Sequence, residues 1–315
     1  MQASRFEESG FATLYFFLIT AVQYSRRPMK PHAQSKKAPG PHLLAFDHFE
    51  RLLQSPFYHK KGGFWIQVVD EKGSAINTSR ALEAQLLYVM LLKIFGKTEQ
   101  AKAVLQEFEN RDLHDYILSK EQIEFQTRNV IANLELLYLL AKSFCQDEVD
   151  TKRLTRLEAL PLFHSGKKMW HYSMRSDDKN IDPEFHSHTQ LLYCWLIARK
   201  DKQQAKNYLK KIKTKKFYIP QKDLWMRSKN YRGTILVSDI SSSTQLLYIA
   251  LLGVLGEYAM AEKNLKLLRN TELYDKNKDE WLGAIDDAGH VLGTNRYAHS
   301  QLSAVLAEYF SSNKH

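Results

Sequence analysis

One short motif recurs at nearly constant intervals along the chain, and it limits the possible folds more than any other feature. The motif is Gln-Leu-Leu-Tyr, which changes to Glu-Leu-Leu-Tyr in one copy and to Gln-Leu-Ser-Ala in the last. The copies are separated by steps of 50, 55, 55 and 56 residues and begin at Gln85, Glu135, Gln190, Gln245 and Gln301. A period of this length accommodates two helices and a structured loop, so we predict a chain built from repeats.

The loops of the repeats share landmarks with the motif. A tryptophan lies 20 residues before the motif in four copies, at Trp65, Trp170, Trp225 and Trp281. In three of these copies a glycine follows eight residues after the tryptophan, at Gly73, Gly233 and Gly289. This common register indicates that the loops resemble one another and that each belongs to the helix that follows it.

Apolar periodicity predicts two sets of helices. Inner helices are expected near 7–24, 79–95, 129–144, 183–199, 239–255 and 295–311, and outer helices near 42–55, 98–109, 150–161, 201–213 and 257–269. The simplest closed arrangement of six inner and five outer helices is an all-α (α/α)6 toroid that spans 1–315 as one domain. Residues 26–41 are rich in Pro, Lys, His and Ser, which predicts a flexible loop.

The glutamine of the motif lies on a polar stripe of an otherwise apolar inner helix. Because buried amides must be hydrogen bonded, we interpret the repeated glutamines as a structural ladder between neighbouring helices rather than as site residues. Short polar residues near the predicted helix starts are candidate N-caps, since their side-chain oxygens accept free backbone N–H groups. They are Ser79, Asn129, Asp182, Asp239 and Asn295.

Composition restricts the partners. The net charge is +10 and the pI is near 9.3, which suits an acidic partner. Most lysines fall on predicted outer helices, where a solvated face explains them, and no nucleic-acid-binding module accompanies the charge, so no nucleic acid partner is expected. Cys145 and Cys194 both fall in apolar helical patterns and are interpreted as buried small residues.

The N-terminal stretch 10–22 is the most apolar part of the chain. It is shorter than the roughly 20 residues that a membrane span needs, and Glu7 and Glu8 precede it instead of a basic start. We therefore interpret it as the first inner helix and expect a cytoplasmic protein, with an uncleaved signal anchor as the alternative. The sequence says nothing about oligomeric state.

Residues that differ between repeats are better site candidates than residues that recur. Two positions before the motif the series is Glu83, Asn133, His188, Ser243 and His299, at one rim of the predicted toroid. Other candidates near this rim are Arg128, Tyr172, His186, Arg227 and Arg296, with Trp170 and Trp225 as platforms on which sugar rings stack. His186 and His188 suit acid/base or carboxylate-binding roles. No third ligand is found for a metal, so neither a metal nor another cofactor is predicted.

Residues 160–166, 170–175 and 185–191 read LPLFHSG, WHYSMR and FHSHTQL. With these motifs, residues 120–215 resemble the C-terminal helical domain of D-glucuronyl C5-epimerases, a family that reads Leu-Pro-Leu-Tyr-Asp-x-Gly, Tyr-Asp-Leu-Arg and Tyr-His-x-x-His before Gln-Leu. Glu124 and the helix after it resemble the family's Glu-Tyr-Pro segment and its helix. The register of Trp, Gly and Gln is also similar to that of the N-acylglucosamine 2-epimerase toroids.

The chain departs from both families. Phe125 and Phe185 occupy positions where the C5-epimerases have tyrosines with acid/base roles, and one residue is missing between the histidines. The β-rich N-terminal part of that family is absent, and two further repeats follow residue 215. Leu86 and Leu87 stand where the 2-epimerases have an arginine. Tyr172 does match the tyrosine of Tyr-Asp-Leu-Arg.

The resemblance implies an enzyme that inverts C5 of a uronic acid in an acidic saccharide. Such a reaction removes a proton next to a carboxylate and returns one from the opposite face. We predict Tyr172 or Glu124 as acid and base, assisted by His186, and Arg175 and His188 as stabilisers of the substrate carboxylate. Two alternatives remain, namely a glycoside hydrolase, which needs two carboxyl groups across one bond, and a toroid that binds a saccharide or a protein without catalysis.

Overall fold

Helices are the main secondary structure of the described residues. The computed structural model describes residues 41–110, 129–175, 181–230 and 234–312, all within the compact unit formed by 40–315. The helices of these ranges are α1 (Pro41–Leu52), α2 (Leu82–Ile94), α3 (Thr98–Asn110), α4 (Ala132–Gln146), α5 (Thr151–Glu158), α6 (Ser187–Ala198), α7 (Lys202–Lys213), α8 (Ser242–Val254), α9 (Tyr258–Leu268) and α10 (Ala298–Ser312). The helix predicted at 7–24 and the loop predicted at 26–41, apart from its last residue, lie outside the described residues.

The five helices that carry the repeated motif form the inner layer. Helix α2 contacts α4, α4 contacts α6, α6 contacts α8, α8 contacts α10, and α10 contacts α2 and α1. Most of their residues are buried on all sides, which explains why they are apolar over more than one stripe. Helices α8 and α10 approach so closely that a Cβ at Gly253 would overlap the backbone carbonyl of Phe310.

The outer helices bury only one stripe each. In α7 the buried residues are Ala205, Tyr208, Leu209 and Ile212, at helical spacing, and the lysines between them face water. Asp150 and Asp201 cap α5 and α7 by accepting the backbone N–H of the third residue of each helix. The solvated lysine faces and the outer helices predicted from the sequence are therefore present in the structure.

Short strands connect the helices. They are β1 (Tyr58–His59), β2 (Phe64–Val69), β3 (Ala75–Arg80), β4 (Asn129–Ile131), β5 (Phe163–His164), β6 (Met169–Trp170), β7 (Ser173–Arg175), β8 (Glu184–His186), β9 (Tyr218–Ile219), β10 (Leu224–Trp225), β11 (Ser228–Asn230), β12 (Ile235–Val237), β13 (Ile240–Ser241), β14 (Tyr274–Asp275), β15 (Glu280–Trp281), β16 (Ala284–Ile285) and β17 (Arg296–Tyr297). Four of the strand pairs are hairpins in which the second strand carries the repeated tryptophan: β1–β2, β5–β6, β9–β10 and β14–β15. In each hairpin the residue two positions before the tryptophan has a left-handed backbone, at Gly63, Lys168, Asp223 and Asp279.

The repeated glutamine fixes each hairpin to the helix that follows it. The side-chain amide of Gln245 donates to the carbonyl of Trp225 at 2.8 Å and accepts the Trp225 N–H at 2.9 Å. The same two bonds join Gln190 to Trp170 and Gln301 to Trp281. The glutamines are therefore structural, as predicted, although they bind their own loop rather than a neighbouring helix.

The tryptophan and the tyrosine of the motif form a second repeated contact. The Trp225 ring packs edge-on against Tyr248 with centroids 5.5 Å apart, and Trp65 with Tyr88 and Trp170 with Tyr193 have the same spacing. In the repeat without the tryptophan, Glu135 replaces glutamine and forms a buried ion pair with Arg153 at 3.1 Å. The negative charge of Glu135, which the other repeats lack, is thus balanced by Arg153.

The predicted side-chain N-caps of the inner helices are wrong. Ser79 and Asn129 lie in β3 and β4, and the inner helices start three to four residues later than predicted. Helices α2, α4, α6 and α8 have no side-chain cap. Instead, a backbone carbonyl of the next repeat accepts the first N–H of the helix: Tyr172 from Ala132, Arg227 from Ser187, and Gly283 from Ser242. Pairing of β4 with β7, β8 with β11 and β13 with β16 places those carbonyls.

We predict that Gln245→Met destabilises the protein by about 2–4 kcal/mol, because both backbone groups of buried Trp225 lose their partner. The free energy of unfolding from urea denaturation measures this loss. Gln85→Met is the matched control, since the bond described between Gln85 and Trp65 is a single one of 3.4 Å, and it should cost clearly less. Equal losses in the two variants would contradict this account of the amide pair.

Candidate functional site

The second residue of each inner helix is polar, and these residues meet at one end of the inner layer. They are Glu83 in α2, Asn133 in α4, His188 in α6, Ser243 in α8 and His299 in α10, and we call them the polar ring. The strand pairs between neighbouring repeats hold the five helix starts side by side. First-turn side chains of parallel helices can then converge, although Glu83 and His299 are far apart in the sequence.

Glu83 is the central carboxylate of the polar ring. One of its oxygens accepts a short hydrogen bond from the Asn133 amide, and the other lies 3.9 Å from Nδ1 of His299. The side chains of Glu83 and His299 remain 27% and 21% exposed, so a solute can reach them. Nδ1 of His188 in α6 lies 3.5 Å from the hydroxyl of Thr244 in α8.

Both histidines of the polar ring are held neutral. Burial lowers the pKa of His188 to about 4, with the charge of Glu83 opposing the shift and those of His299 and His186 adding to it. Burial also lowers the pKa of His299, and again Glu83 opposes the shift. A neutral imidazole next to a carboxylate can accept a proton, so the polar ring has the groups for acid/base chemistry near neutral pH.

A second group of side chains lies next to the polar ring. The rings of Tyr172 and His186 are stacked at 4.0 Å and 13°, and Nε2 of His186 lies 3.0 Å from a carboxylate oxygen of Glu184. Burial lowers the pKa of His186, while Glu184 opposes this shift. Strand β8 positions His186 directly before α6, which makes it a close neighbour of His188.

The structure argues against Tyr172 as a base. Burial raises its pKa above 10, and the charges of Glu83 and Asp182 raise it further. Among the described side chains, the cation that opposes this shift is Arg227. A tyrosine in such surroundings keeps its proton and serves as a hydrogen-bond donor or a packing surface.

Arg227 and Asp239 border the second group. Nη2 of Arg227 lies 2.5 Å from Oδ2 of Asp239, and the arginine side chain is 46% exposed whereas the aspartate is almost covered. Burial raises the pKa of Asp239, and Arg227 opposes the shift. The exposed guanidinium therefore remains available to an anionic group of a ligand.

Three predicted ligand-binding residues lie elsewhere. Trp170 and Trp225 are both 0% exposed, so their rings pack inside the loops and offer no surface for a sugar. Arg296 is 3% exposed in its side chain and forms ion pairs with Asp275 at 2.8 Å and Glu280 at 2.7 Å. These three residues have structural partners, because the repeated hairpins need a packed interior.

Other candidates cannot be placed. Glu124 and Arg128 lie outside the described residues, and of Arg175 only the backbone is described, where it pairs with Asn129. The polar ring brings together His188 and His299 from the predicted set, with His186 and Tyr172 beside them. Among the described residues no group of three possible metal ligands is found, and none of the described helices is long and apolar enough to cross a bilayer.

The residues predicted to act on the substrate did not include Glu83, Asn133 or Glu184. A signal for the first two was present, because they occupy the same position before the motif as His188 and His299. For Glu184 there was none, since Glu184 and His186 share one face of strand β8, whereas the sequence predicted a helix over these residues.

Comparison with known proteins identifies the architecture. A crystal structure of D-mannose isomerase matches with a TM-score of 0.56 at 11% identity over 89% of this chain and 100% of that one. A heparin-specific unsaturated glucuronyl hydrolase matches with 0.51 at 11% over 85% and 95%, and a cellobiose 2-epimerase from Bacillus thermoamylovorans with 0.50 at 11% over 85% and 99%. The chain has the (α/α)6 toroid fold. No protein-family model matches it, and no curated protein matches its sequence.

We predict that acid weakens the fold through the polar ring. The pKa of His188 is about 4 in the folded protein against 6.5 for a free side chain, so between these values the unfolded chain binds a proton that the folded chain does not. The free energy of unfolding should therefore fall as pH drops through this window, by at most about 3 kcal/mol for His188.

Urea denaturation at a series of pH values between about 7 and 4 measures this effect. His188→Gln should flatten the profile, and His290→Gln, at a largely exposed histidine, should leave it unchanged. A profile of His188→Gln that parallels that of the wild type would contradict the assignment.

Proposed function

We propose that this protein is a carbohydrate-active enzyme of the epimerase or isomerase type, which removes and returns a proton at a saccharide carbon next to a carbonyl or carboxylate. The observation that carries the proposal is the polar ring, in which two neutral histidines from different helices share one reachable carboxylate, Glu83. Proton transfer at carbon needs a base and an acid, and a neutral imidazole is a base that becomes an acid once it has taken up a proton.

In the proposed reaction His188 and His299 exchange protons with the substrate. One neutral imidazole accepts the proton from carbon and becomes an imidazolium. The other imidazole takes up a proton from solvent and returns it to the opposite face of the intermediate, and the first imidazole then releases its proton to solvent. Glu83 stabilises the imidazolium that forms, since its charge already raises the pKa of both histidines against the effect of burial. Asn133 fixes the Glu83 carboxylate by its hydrogen bond. Glu83 is thus a positioning and charge-stabilising residue.

In finer detail, we propose that the substrate is a uronic acid within a saccharide. The sequence motifs in 160–191 resemble those of enzymes that act on glucuronic acid, and the exposed guanidinium of Arg227 lies beside Tyr172 and His186. A uronate carboxylate bound by Arg227 would acidify the neighbouring C5–H bond as negative charge develops. Toroids titled D-mannose isomerase and cellobiose 2-epimerase share the fold, so a neutral reducing sugar is the alternative substrate.

A glycoside hydrolase is less well supported by the described residues. It needs a second carboxyl group opposite Glu83, but Asp239 is paired with Arg227 and Asp286 with His290. Epimerisation and hydrolysis differ in product, because only hydrolysis releases new reducing ends. A reducing-end assay on the same saccharides therefore separates the two.

We predict that incubation in deuterated water exchanges a carbon-bound hydrogen of the substrate, at C5 of a uronate oligosaccharide or at C2 of a neutral reducing sugar. Nuclear magnetic resonance of the recovered sugar identifies the position. Exchange at C5 alone supports the uronate, and exchange at C2 alone supports the neutral sugar. Binding of a saccharide with neither exchange nor new reducing ends would overturn the proposal in favour of a non-catalytic binding protein.

His188→Gln and His299→Gln should each slow the exchange by about 10²–10⁴-fold, as expected for removal of an acid or base. Tyr172→Phe should change the rate far less, because its pKa is too high for a base. His290→Gln serves as the control for a histidine outside the polar ring. A rate for Tyr172→Phe as low as that for His188→Gln would reverse the roles assigned to the two residues.

A further inference from the structure

A group of lysines on the loops of the third and fourth repeats is not used by the polar ring. Its most buried member is Lys229 in β11, which is only 6% exposed. The ammonium group of Lys229 lies 4.7 Å from the centre of the Phe217 ring. Among the described residues Lys229 forms no ion pair, although burying a charge without a partner is costly.

Several other cations surround Lys229. Lys167 lies over the ring of Phe185 at 5.4 Å, and Phe185 is the residue that pairs with Lys229 between β8 and β11. Paired residues of neighbouring strands share one face of a sheet, so the two lysines flank the same patch. Burial, together with repulsion from Lys215, Lys167 and Lys216, lowers the pKa of Lys229 to about 8.

Two histidines extend the patch. The ring of Phe185 stacks on His171 at 4.6 Å, and His171 stacks on His164 at 5.9 Å. His171 is 8% exposed, and its Nδ1 atom has no hydrogen-bond partner among the described residues. We call Lys167, His171, Lys215, Lys216 and Lys229 the basic cluster. Lys229 is a largely covered lysine with no ion pair among the described residues, whereas His171 is hydrogen bonded to the backbone of Asp182. The neighbouring lysines repel the charge of Lys229, and a bound anion relieves this repulsion.

The basic cluster is close in sequence to residues beside the polar ring. Phe185 and Lys229 are adjacent to His186 and Ser228, which form the following pair of the same two strands. Successive residues of a strand point to opposite faces. The basic cluster therefore lies on one face of the β8–β11 strand pair and His186 lies on the other face. This strand pair separates two sites at the same end of the inner layer.

We propose that the basic cluster binds a carboxylate or sulfate group of an acidic saccharide, away from the residue on which the polar ring acts. The aromatic rings of Phe185 and Phe217 hold the side chains of Lys167 and Lys229 in place, and the anion supplies the ion-pair partner that Lys229 lacks among the described residues. The assignment of the anion to a saccharide rests on the proposed function, whereas the anion site itself rests on the basic cluster alone.

Isothermal titration calorimetry at low salt tests this proposal on the whole protein. The probes are a uronate hexasaccharide, a sulfated hexasaccharide, a neutral glucose hexasaccharide and inorganic sulfate. We expect that Lys229→Met weakens binding of an acidic hexasaccharide about tenfold, which corresponds to the loss of one charge-assisted contact. Added salt should weaken wild-type binding steeply.

Lys263→Met is the matched control, because it removes the same charge from an exposed position on α9. It should change the affinity less than twofold. Thermal melting tests the folding of each variant, and Lys229→Met should melt no lower than the wild type, since it removes an unpaired buried charge. If Lys229→Met does not fold, Lys216→Met, at an exposed member of the cluster, replaces it. This variant should also bind the acidic hexasaccharides more weakly than the wild type does.

Equal affinity of wild type and Lys229→Met for the acidic hexasaccharides would overturn the proposal. Equal weakening for the neutral hexasaccharide would also overturn it, because loss of charge would then not be the cause. If inorganic sulfate binds Lys229 as tightly as the hexasaccharides do, the saccharide assignment is overturned and a free anion is the ligand. None of these binding results depends on hydrogen exchange at carbon. The anion site and the proposed function are therefore tested independently of each other.

Discussion

The amide pair between the repeated glutamine and the tryptophan 20 residues before it is the interaction on which the other features depend. A glutamine side chain presents one donor and one acceptor, as a backbone peptide does, and in three repeats both bond to the buried backbone of the tryptophan. The pair fixes the loop hairpin to the start of its helix in the same way each time. In three repeats the residue two positions after the tryptophan then offers the carbonyl that caps the preceding inner helix.

This scaffold explains why the polar ring differs from repeat to repeat. Because the glutamine and the tryptophan fix the backbone, the residue two positions before the glutamine is free to be Glu83, Asn133, His188, Ser243 or His299 without changing the fold. Helix N-termini favour negative charge and disfavour positive charge. Glu83 therefore suits its position as an anion, and the same field adds to burial in keeping His188 and His299 neutral.

The repeats, the helices and the structural role of the glutamines could be predicted from the sequence, because period and apolar spacing are local properties. The caps could not, since Ser79 and Asn129 look like caps in sequence but lie in strands that pair across repeats. Trp170 and Trp225 are as compatible with a sugar platform as with a core, and only their burial decides between the two. The contact of His299 with Glu83 depends on closure between the last and first described repeats.

The pairing of β17 with β2 has a consequence for the order in which the chain acquires its structure. Arg296 and Tyr297 pair with Val69 and Val68, more than 200 residues earlier. During synthesis on the ribosome each inner helix receives its cap only when the next loop has emerged, and β2 receives this strand only when nearly the whole described chain is present. Contacts of such long sequence separation form slowly. The site at the polar ring is therefore completed last, after the scaffold that supports it.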